Sequence, residues 1–339
     1  MDQTTHAWIA SRAVGLLEDE GRTPNLMELL KPYVKSSAIG AWLPDLQDTK
    51  RGSGGTENHV LKIAPYNKSD GSAASDAARF TTPKADLAKK LAGRDIAQFL
   101  KDDSTLDQEW WSKAYKGNPH PGQHLGNRAM AVGTTIIDLL IFGDPVVSNL
   151  VPGKISFADE LCLNERTRLE QAGMFFFMLS HFIADSCMPC HCDARALAAF
   201  ASGLHHEWEL DWSTKVGKEF NKANLESSAA SSDKILAAAR KVDGNFGLKF
   251  DSQVPDLVET DIWKEIVNVC RGSFALDSII APPGAYPYDS KKLAPFDEGL
   301  AKNQALLEQT NRVILHDAVL NVAMIWKHIW GKFTKKPEN

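Results

Sequence analysis

The chain has 339 residues, of which 43% are apolar, so it can bury the core of one large domain or two ordinary ones. Its formal net charge of −5 at pH 7 excludes a general attraction to nucleic acid or anionic lipid. Any phosphate binding must therefore come from a local site. The longest apolar runs, such as MFFFML, are too short to cross a bilayer, and no transmembrane segment is predicted.

The opening MDQTTHAW is not followed by an apolar stretch of the length of a signal peptide. The sequence as it stands predicts a cytoplasmic protein, whereas a secreted protein from which the export signal had been removed would have the same pattern. The five cysteines are odd in number and clustered, which argues against a secreted disulfide framework.

Helical periodicity dominates the chain. Residues 7–18 carry apolar side chains at helical spacing, and Thr23-Pro24 is the pattern of a helix N-cap followed by proline in the first turn. Helical spacing recurs in five later segments, namely 127–142, 157–187, 194–213, 258–280 and 298–331. No series of alternating strands with hairpin turns is present. The sequence therefore predicts an all-α fold.

Three stretches have the composition of long loops. They are the Gly-, Ser-, Lys- and Asp-rich residues 50–84, the segment KGNPHPGQHLG at 116–126 and the proline-rich segment 281–298. Long loops in a compact domain are often functional. Since no internal repeat or domain boundary is evident, we predict a single helical domain over residues 1–331, followed by a tail at 332–339.

The apolar segment MFFFMLSHFIADSCMPCH is typical of a central, buried helix. His181 and Asp185 are four residues apart and share one face, where a neutral imidazole and a carboxylate can bind one metal ion. Pro189 is expected to stop or kink the helix, which would direct His191 toward a second ion. For His181 and Asp185 alone, a structural hydrogen bond is the better interpretation.

A second pair with the same spacing favours a metal site. His205 and Glu209, in GLHHEWELD, are also four residues apart on a predicted helix. Imidazole and carboxylate together suit zinc. Three further segments supply ligand types: THAW contains His6, AIGAWLPDLQD has Asp45 at the end of an apolar segment, and ENHV contains His59.

The order of these residues resembles the zinc-dependent phospholipase C family and is similar to that of the fungal single-strand-specific zinc nucleases. Family members carry an early His, an Asp, a His in the next loop, His-x-x-x-Asp followed by Pro and His, and finally His-x-x-x-Glu in phospholipases or His-x-x-x-Asp in nucleases. The segments TTHAWIASRA and AIGAWLPD also resemble the N-terminal domain of glycosylphosphatidylinositol-specific phospholipase D. The resemblance covers residues 5–209.

The resemblance implies a multi-helix bundle of the phospholipase C and zinc nuclease type that holds two to three Zn²⁺ ions. It implies that one zinc is bound by Asp45, His59, His181 and Asp185. A second would be bound by His191, His205 and Glu209. A third would share Asp185 and use His6.

Such a centre would attract an anionic phosphodiester even though the protein is acidic, because three Zn²⁺ ions bring six positive charges and Asp45, Asp185 and Glu209 return only three negative ones. Bound zinc can also lower the pKa of a water to about 7, which gives a nucleophile at neutral pH. We therefore expect a zinc-dependent hydrolase of phosphoric esters, in which a metal-activated water attacks a phosphodiester. Asp45 is expected to orient or deprotonate that water while it also binds metal. The pattern His205-x-x-x-Glu209 favours a phospholipid or its head group as substrate.

Two other functions remain open. The first is a single-strand nuclease or nucleotidase of the same fold, with nucleic acid as substrate. The second is a non-catalytic metal-binding or redox protein, because Cys187, Cys190 and Cys192 form C-M-P-C-H-C. That motif lacks the α/β context of a thioredoxin-like pair and a second C-x-x-C for zinc, so we predict that these cysteines are buried side chains beside the metal site.

Overall fold

The computed structural model describes residues 3–51, 56–61, 125–141, 165–192, 204–221, 231–257, 261–280 and 304–334. Across these ranges the regular structure is helical and contains no strand, which confirms the all-α prediction. Within the same ranges, no helix has both the length and the apolar character that a bilayer span requires.

The regular structure of these ranges consists of α-helices joined in places by 3₁₀ turns. In chain order the α-helices are α1 Gln3–Glu20, α2 Pro24–Leu30, α3 Ser37–Arg51, α4 Leu125–Ile141, α5 Glu165–Cys187, α6 Pro189–Cys192, α7 Leu204–Gly217, α8 Ser232–Phe246, α9 Ile262–Ile280 and α10 Gln304–Thr334. The 3₁₀ helices lie at Lys31–Ser36, between α2 and α3, and at Thr56–His59, after α3.

Helix α5 is the centre of the bundle. It packs against α1, α3, α4, α9 and α10. Its sequence is apolar on nearly every side, so burial from all directions is the arrangement that removes this surface from water. Phe176 and Phe177 contact the ring of Trp326 on α10, edge to face, at centroid distances of 5.9 and 5.6 Å. The polar residues His181 and Asp185, near the carboxyl end of α5, are therefore buried in the centre of the bundle.

Helix α1 is the second buried element. Its residues from Thr5 to Leu17 are all buried, and it packs against α3, α5, α7, α8 and α10. Gly21 follows the helix with φ of +68°, a left-handed conformation that favours glycine, and its amide donates to the carbonyl of Leu17. The helix is longer than the predicted range of 7–18, because burial of the first turn extends it back to Gln3.

Several predicted boundaries agree closely with the structure. The segment predicted at 127–142 is α4, and the proline at position 24 begins α2. Thr23 occupies the N-cap position of α2, although its side chain makes no capping hydrogen bond. Parts of four other predicted segments, residues 157–164, 194–203, 258–260 and 298–303, lie outside the described residues.

Two helices differ from the sequence predictions. The sequence predicts Asp45 at the end of an apolar segment, but Pro44 and Asp45 both lie inside α3, which continues to Arg51. Helix α8 has no counterpart among the predicted segments, although its ends carry clear signals. Ser231 accepts a hydrogen bond from the amide of Lys234, and Gly247 ends the helix with φ of +65°.

The predicted loops and tail are only partly described. Residues 50–51 belong to α3, 56–59 form a 3₁₀ turn, and 125–126 begin α4, whereas 62–84, 116–124 and 281–298 lie outside the described residues. Helix α10 continues to Thr334 and so overlaps the first three residues of the tail predicted at 332–339, whose residues 335–339 lie outside the described residues. Buried apolar side chains from the described helices form one cluster, and a single domain over 1–331 stays a prediction.

Candidate metal centre

The site is built on the carboxyl-terminal turns of α5, where His181 and Asp185 lie on one face. The distance from His181 Nε2 to Asp185 Oδ2 is 3.1 Å, and both side chains are almost completely buried. His181 Nδ1 donates to the carbonyl oxygen of Ala41 on α3 at 2.6 Å. This bond fixes the ring orientation and leaves Nε2 directed at the carboxylate.

Asp45 and His59 bring two more ligand types to His181. His59 Nδ1 lies 2.9 Å from Asp185 Oδ2 and 2.9 Å from His181 Nε2. Asp45 Oδ1 lies 3.4 Å from His181 Nε2 and 3.7 Å from His59 Nδ1. One atom from each of Asp45, His59 and His181 therefore falls within 4.8 Å of the others, a spacing that a single metal ion can bridge.

Backbone contacts hold the His59 turn in place. The amide of Leu61 donates to the carbonyl of His191 at 3.2 Å, and the amide of Leu125 donates to the carbonyl of Val60 at 3.1 Å. These bonds connect the turn to α6 and to the start of α4. They explain how a residue in a polar segment reaches the centre of the bundle.

The second group consists of His191, His205 and Glu209. Helix α5 ends at Cys187, and the short helix α6 begins at Pro189, so the chain changes direction and His191 is directed toward α7. His191 Nε2 lies 3.0 Å from His205 Nε2, and His205 Nε2 lies 2.7 Å from Glu209 Oε1. These three residues also satisfy the 4.8 Å spacing.

Asp185 connects the groups. Its Oδ2 faces His59 and His181, whereas its Oδ1 lies 3.3 Å from His191 Nδ1 and 3.5 Å from His6 Nε2. The ring of His6 stacks on that of His181 with centroids 3.8 Å apart. His6, His181 and Asp185 form the third group with metal-ligand spacing. The carboxylate of Asp185 is therefore in a position to bridge ions.

The chemistry of the donors fits bound cations. Pairs of imidazole nitrogens lie 2.9 and 3.0 Å apart, at His59 with His181 and at His191 with His205. Neither ring nitrogen of His6, nor His191 Nδ1, makes a hydrogen bond within the part of the chain that the structure describes. Buried polar atoms without such bonds are costly, and a cation would satisfy nitrogen lone pairs and carboxylate oxygens together. A set of nitrogen and oxygen donors of this kind suits zinc.

The buried histidines differ in protonation state because their surroundings differ. Burial lowers the pKa of His6 well below its usual value and lowers that of His191 to about 4, so both rings are neutral at pH 7. Burial also opposes the charged form of His181, but the carboxylates of Asp185 and Asp45 outweigh it and raise its pKa to about 9. Before metal binds, His181 therefore carries the proton that offsets the buried carboxylate.

The two acids on the helices are held in the ionised form. Burial favours protonation of Asp185, yet His181 and His191 outweigh it and lower the pKa well below the usual value. Burial also acts to raise the pKa of Glu209. Interactions that favour the carboxylate, among them the hydrogen bond from His205, outweigh burial and lower this pKa. Both groups are thus carboxylates at neutral pH and available as ligands.

Exposure defines the open side of the centre. The side chains of Asp45, His205 and Glu209 are 36%, 22% and 21% exposed, whereas His6, His181 and Asp185 are at most 1% exposed. The side of the centre nearest to solvent is therefore formed by Asp45 on α3 and by His205 and Glu209 on α7.

All eight residues singled out in the sequence lie in this one centre. Sequence reasoning missed the carbonyl of Ala41, which orients His181, because a backbone acceptor has no signature in the sequence. The described cysteines are buried thiols that form no disulfide among themselves, and none belongs to the three groups with metal-ligand spacing in the described part of the chain. Burial raises the pKa of the Cys187 thiol far above its usual range.

Comparison of the chain with protein-family models, curated proteins and solved structures found no match in any of the three. The fold is all-α, and three groups of His, Asp and Glu side chains could bind a metal ion. The function must be inferred from these side chains and their geometry.

Proposed function

We propose that the protein is a zinc-dependent hydrolase of phosphoric esters, similar to the phospholipases C. The main support is the position of Asp185, whose two oxygens lie 2.9–3.5 Å from imidazole nitrogens supplied by four separate elements. A structural hydrogen bond needs one histidine for one carboxylate. Four imidazoles around a single buried carboxylate are far more than such a bond requires.

The ligand sets follow the groups in the structure. Asp45, His59 and His181 would hold one ion together with Asp185, which lies against both imidazoles. A second ion would be held by His191, His205 and Glu209, and His6 would share Asp185 at a third position. When bound, zinc supplies Lewis acidity and a water whose pKa is lowered to about 7.

The protein residues divide into buried and exposed roles. The buried residues His6, His181 and Asp185 set the position and charge of the centre and exclude water from its inner side. Asp45, on the exposed side, is the carboxylate best placed to orient an attacking water and to accept its proton through Oδ1. The anionic phosphodiester would be drawn to the centre by the excess of positive charge once metal is present.

A phospholipid or its head group is the substrate that we propose. The support is Glu209, because His-x-x-x-Glu is typical of the phospholipase branch and His-x-x-x-Asp of the nuclease branch. Single-stranded nucleic acid is the alternative substrate of the same chemistry. A metal-binding protein without catalysis is the other alternative, and metal content together with substrate preference separates all three.

Metal content and chelator-sensitive hydrolysis test the proposal together. Elemental analysis of the purified chain should find at least two zinc ions, and hydrolysis of bis-p-nitrophenyl phosphate should disappear with chelator and return with added zinc. Glu209→Gln should lose zinc and activity, whereas Glu28→Gln, at an exposed position on α2, should retain both. Fewer than two zinc ions per chain, with no rescue by zinc, would exclude the proposed centre.

The substrate class is tested on the zinc-loaded protein. Phosphatidylcholine and single-stranded DNA should be compared at equal phosphodiester concentration. Faster release of phosphocholine than of nucleotides supports the phospholipase proposal, and the reverse order assigns the protein to the nuclease branch. A zinc-loaded chain that leaves every phosphodiester intact is a metal-binding protein without this activity.

A further inference from the structure

A cavity lies at the opposite end of α1 from the metal centre. It has a volume of about 540 Å³ and is formed by the α1–α2 connection, residues 256–257 and the last turns of α10. His6 and Glu20 lie on the same helix, and a rise of 1.5 Å per residue places them ~21 Å apart along its axis. The cavity is therefore separate from the metal centre and independent of the hydrolase proposal.

The ammonium group of Lys327 is the polar centre of this cavity. Its Nζ donates to Glu20 Oε1 at 2.8 Å, to the carbonyl of Val254 at 2.8 Å and to Asp256 Oδ1 at 2.9 Å. An ammonium has three donors, and all three are used. Any anion that enters the cavity and bonds to Lys327 must replace one of these acceptors.

Asp256 is the acceptor that can be replaced. Its side chain is 81% exposed, whereas that of Glu20 is 1% exposed and lies beneath the lysine. The hydrogen bond with Lys327 lowers the pKa of Asp256, so this group is an anion at neutral pH. The ion pair is weak on the side of Asp256, because water competes with Lys327 for this exposed carboxylate, whereas the lysine side chain is only 13% exposed. Asp256 therefore occupies the position of an anionic ligand without being held there firmly.

The rest of the lining suits a ligand with both charge and apolar surface. Arg22 and Lys332 add positive charge, while Leu257, Met324 and Trp330 add apolar surface. A volume of about 540 Å³ is typical of small-molecule sites and is far larger than an inorganic anion needs. The lining is net positive although the whole chain carries −5.

We propose that this cavity binds a small amphiphilic anion, a carboxylate or phosphate monoester with an apolar group, whose charged end displaces Asp256 from Lys327. The apolar part would lie against Leu257, Met324 and Trp330. In the absence of ligand, Asp256 accepts the third hydrogen bond of the Lys327 ammonium, beside Glu20 and the carbonyl of Val254.

Calorimetric titration of the full chain tests the site. The probes are octanoate and octyl phosphate, with inorganic phosphate and octanol as probes of charge alone and of the apolar group alone. Each titration is run with and without chelator, because the metal centre would also bind anions. Both amphiphilic anions should bind more tightly than phosphate or octanol, and chelator should leave their affinity unchanged.

Three variants distinguish displacement from simple attraction. Asp256→Asn removes the competing charge and should tighten octanoate binding about threefold, and Lys332→Ala should weaken it by a similar factor. Lys241→Ala, at an exposed position on α8, is the control and should have no effect. Melting curves show whether each variant is folded.

Several results would overturn the proposal. These are the absence of binding by both amphiphilic anions, binding that disappears with chelator, and affinity that is unchanged in Lys332→Ala. Weaker binding in Asp256→Asn would show that Asp256 is not displaced. Equal affinity for octyl phosphate and inorganic phosphate would show that the apolar residues Leu257, Met324 and Trp330 do not contribute to binding.

Discussion

Replacement of Gly40 by alanine should damage the metal centre without changing a ligand. Gly40 is where α3 crosses α5, and a Cβ added there would lie 2.7 Å from Phe177 Cβ. Carbon atoms pack at ~3.5 Å or more, so α3 must move by about 0.8 Å. Phe177 cannot relieve the contact by rotating, because its Cβ is fixed to the backbone of α5.

The net effect on stability is the difference between two terms. Alanine in place of glycine favours the helix by up to ~1 kcal/mol, and overpacking of a close contact costs ~1–3 kcal/mol. The free energy of unfolding should therefore fall by ~0–2 kcal/mol. Asp45 and the carbonyl of Ala41 lie on the displaced helix, and both contact His181. A shift approaching 1 Å at a catalytic group can lower the rate about 10²-fold.

Gly244→Ala is the matched control, because Gly244 is also helical and nothing lies within 4 Å of its added Cβ. Urea unfolding should show that the control is stabilised by up to ~1 kcal/mol and that Gly40→Ala is ~1–3 kcal/mol less stable than the control. Zinc content and hydrolysis of bis-p-nitrophenyl phosphate should fall only in Gly40→Ala. If the two variants are equally stable and equally active, the close approach of α3 and α5 does not position the metal centre.

Three further predictions concern single groups in and near the centre. Asp45→Asn should lower the rate of phosphodiester hydrolysis by about 10²–10⁴ while zinc analysis shows the metal largely retained, and a fully active variant would exclude Asp45 as the base. His181 has a pKa raised to about 9, so it is protonated at pH 7.5 and must lose that proton to bind zinc. Calorimetry in buffers of different ionisation enthalpy should then detect release of at least one proton per chain, because a zinc-bound water can add to the proton from His181, and enthalpies independent of buffer would contradict this protonation state. Burial raises the pKa of Cys187, so mass spectrometry should find it alkylated by iodoacetamide at pH 8 only after denaturation, whereas labelling of the native chain would favour a redox role.

The sequence was sufficient for the fold class and for the identity of the candidate ligands. Helical periodicity is a local property, and the apolar pattern of α5 specifies its burial whatever packs against it. Spacing of four residues places His181 with Asp185, and His205 with Glu209, on common helix faces before any tertiary contact is known. Ser231 and Gly247 mark the ends of α8 just as locally, and its buried residues Ile235, Ala239, Val242 and Phe246 recur at helical spacing, so the sequence also contained the signals for this helix.

Tertiary structure alone decided how these residues combine. His6, Asp45 and His59 are ordinary residues within their own segments. Their meeting around His181 and Asp185 depends on the packing of α1 and α3 against α5 and on the backbone bonds that hold the His59 turn to α4 and α6. The carbonyl of Ala41 that orients His181, the close contact at Gly40 and the acceptors around Lys327 are likewise invisible in the sequence. The physical reason is that side-chain type and helical spacing are encoded locally, whereas a ligand sphere and a cavity are made by residues far apart in the chain.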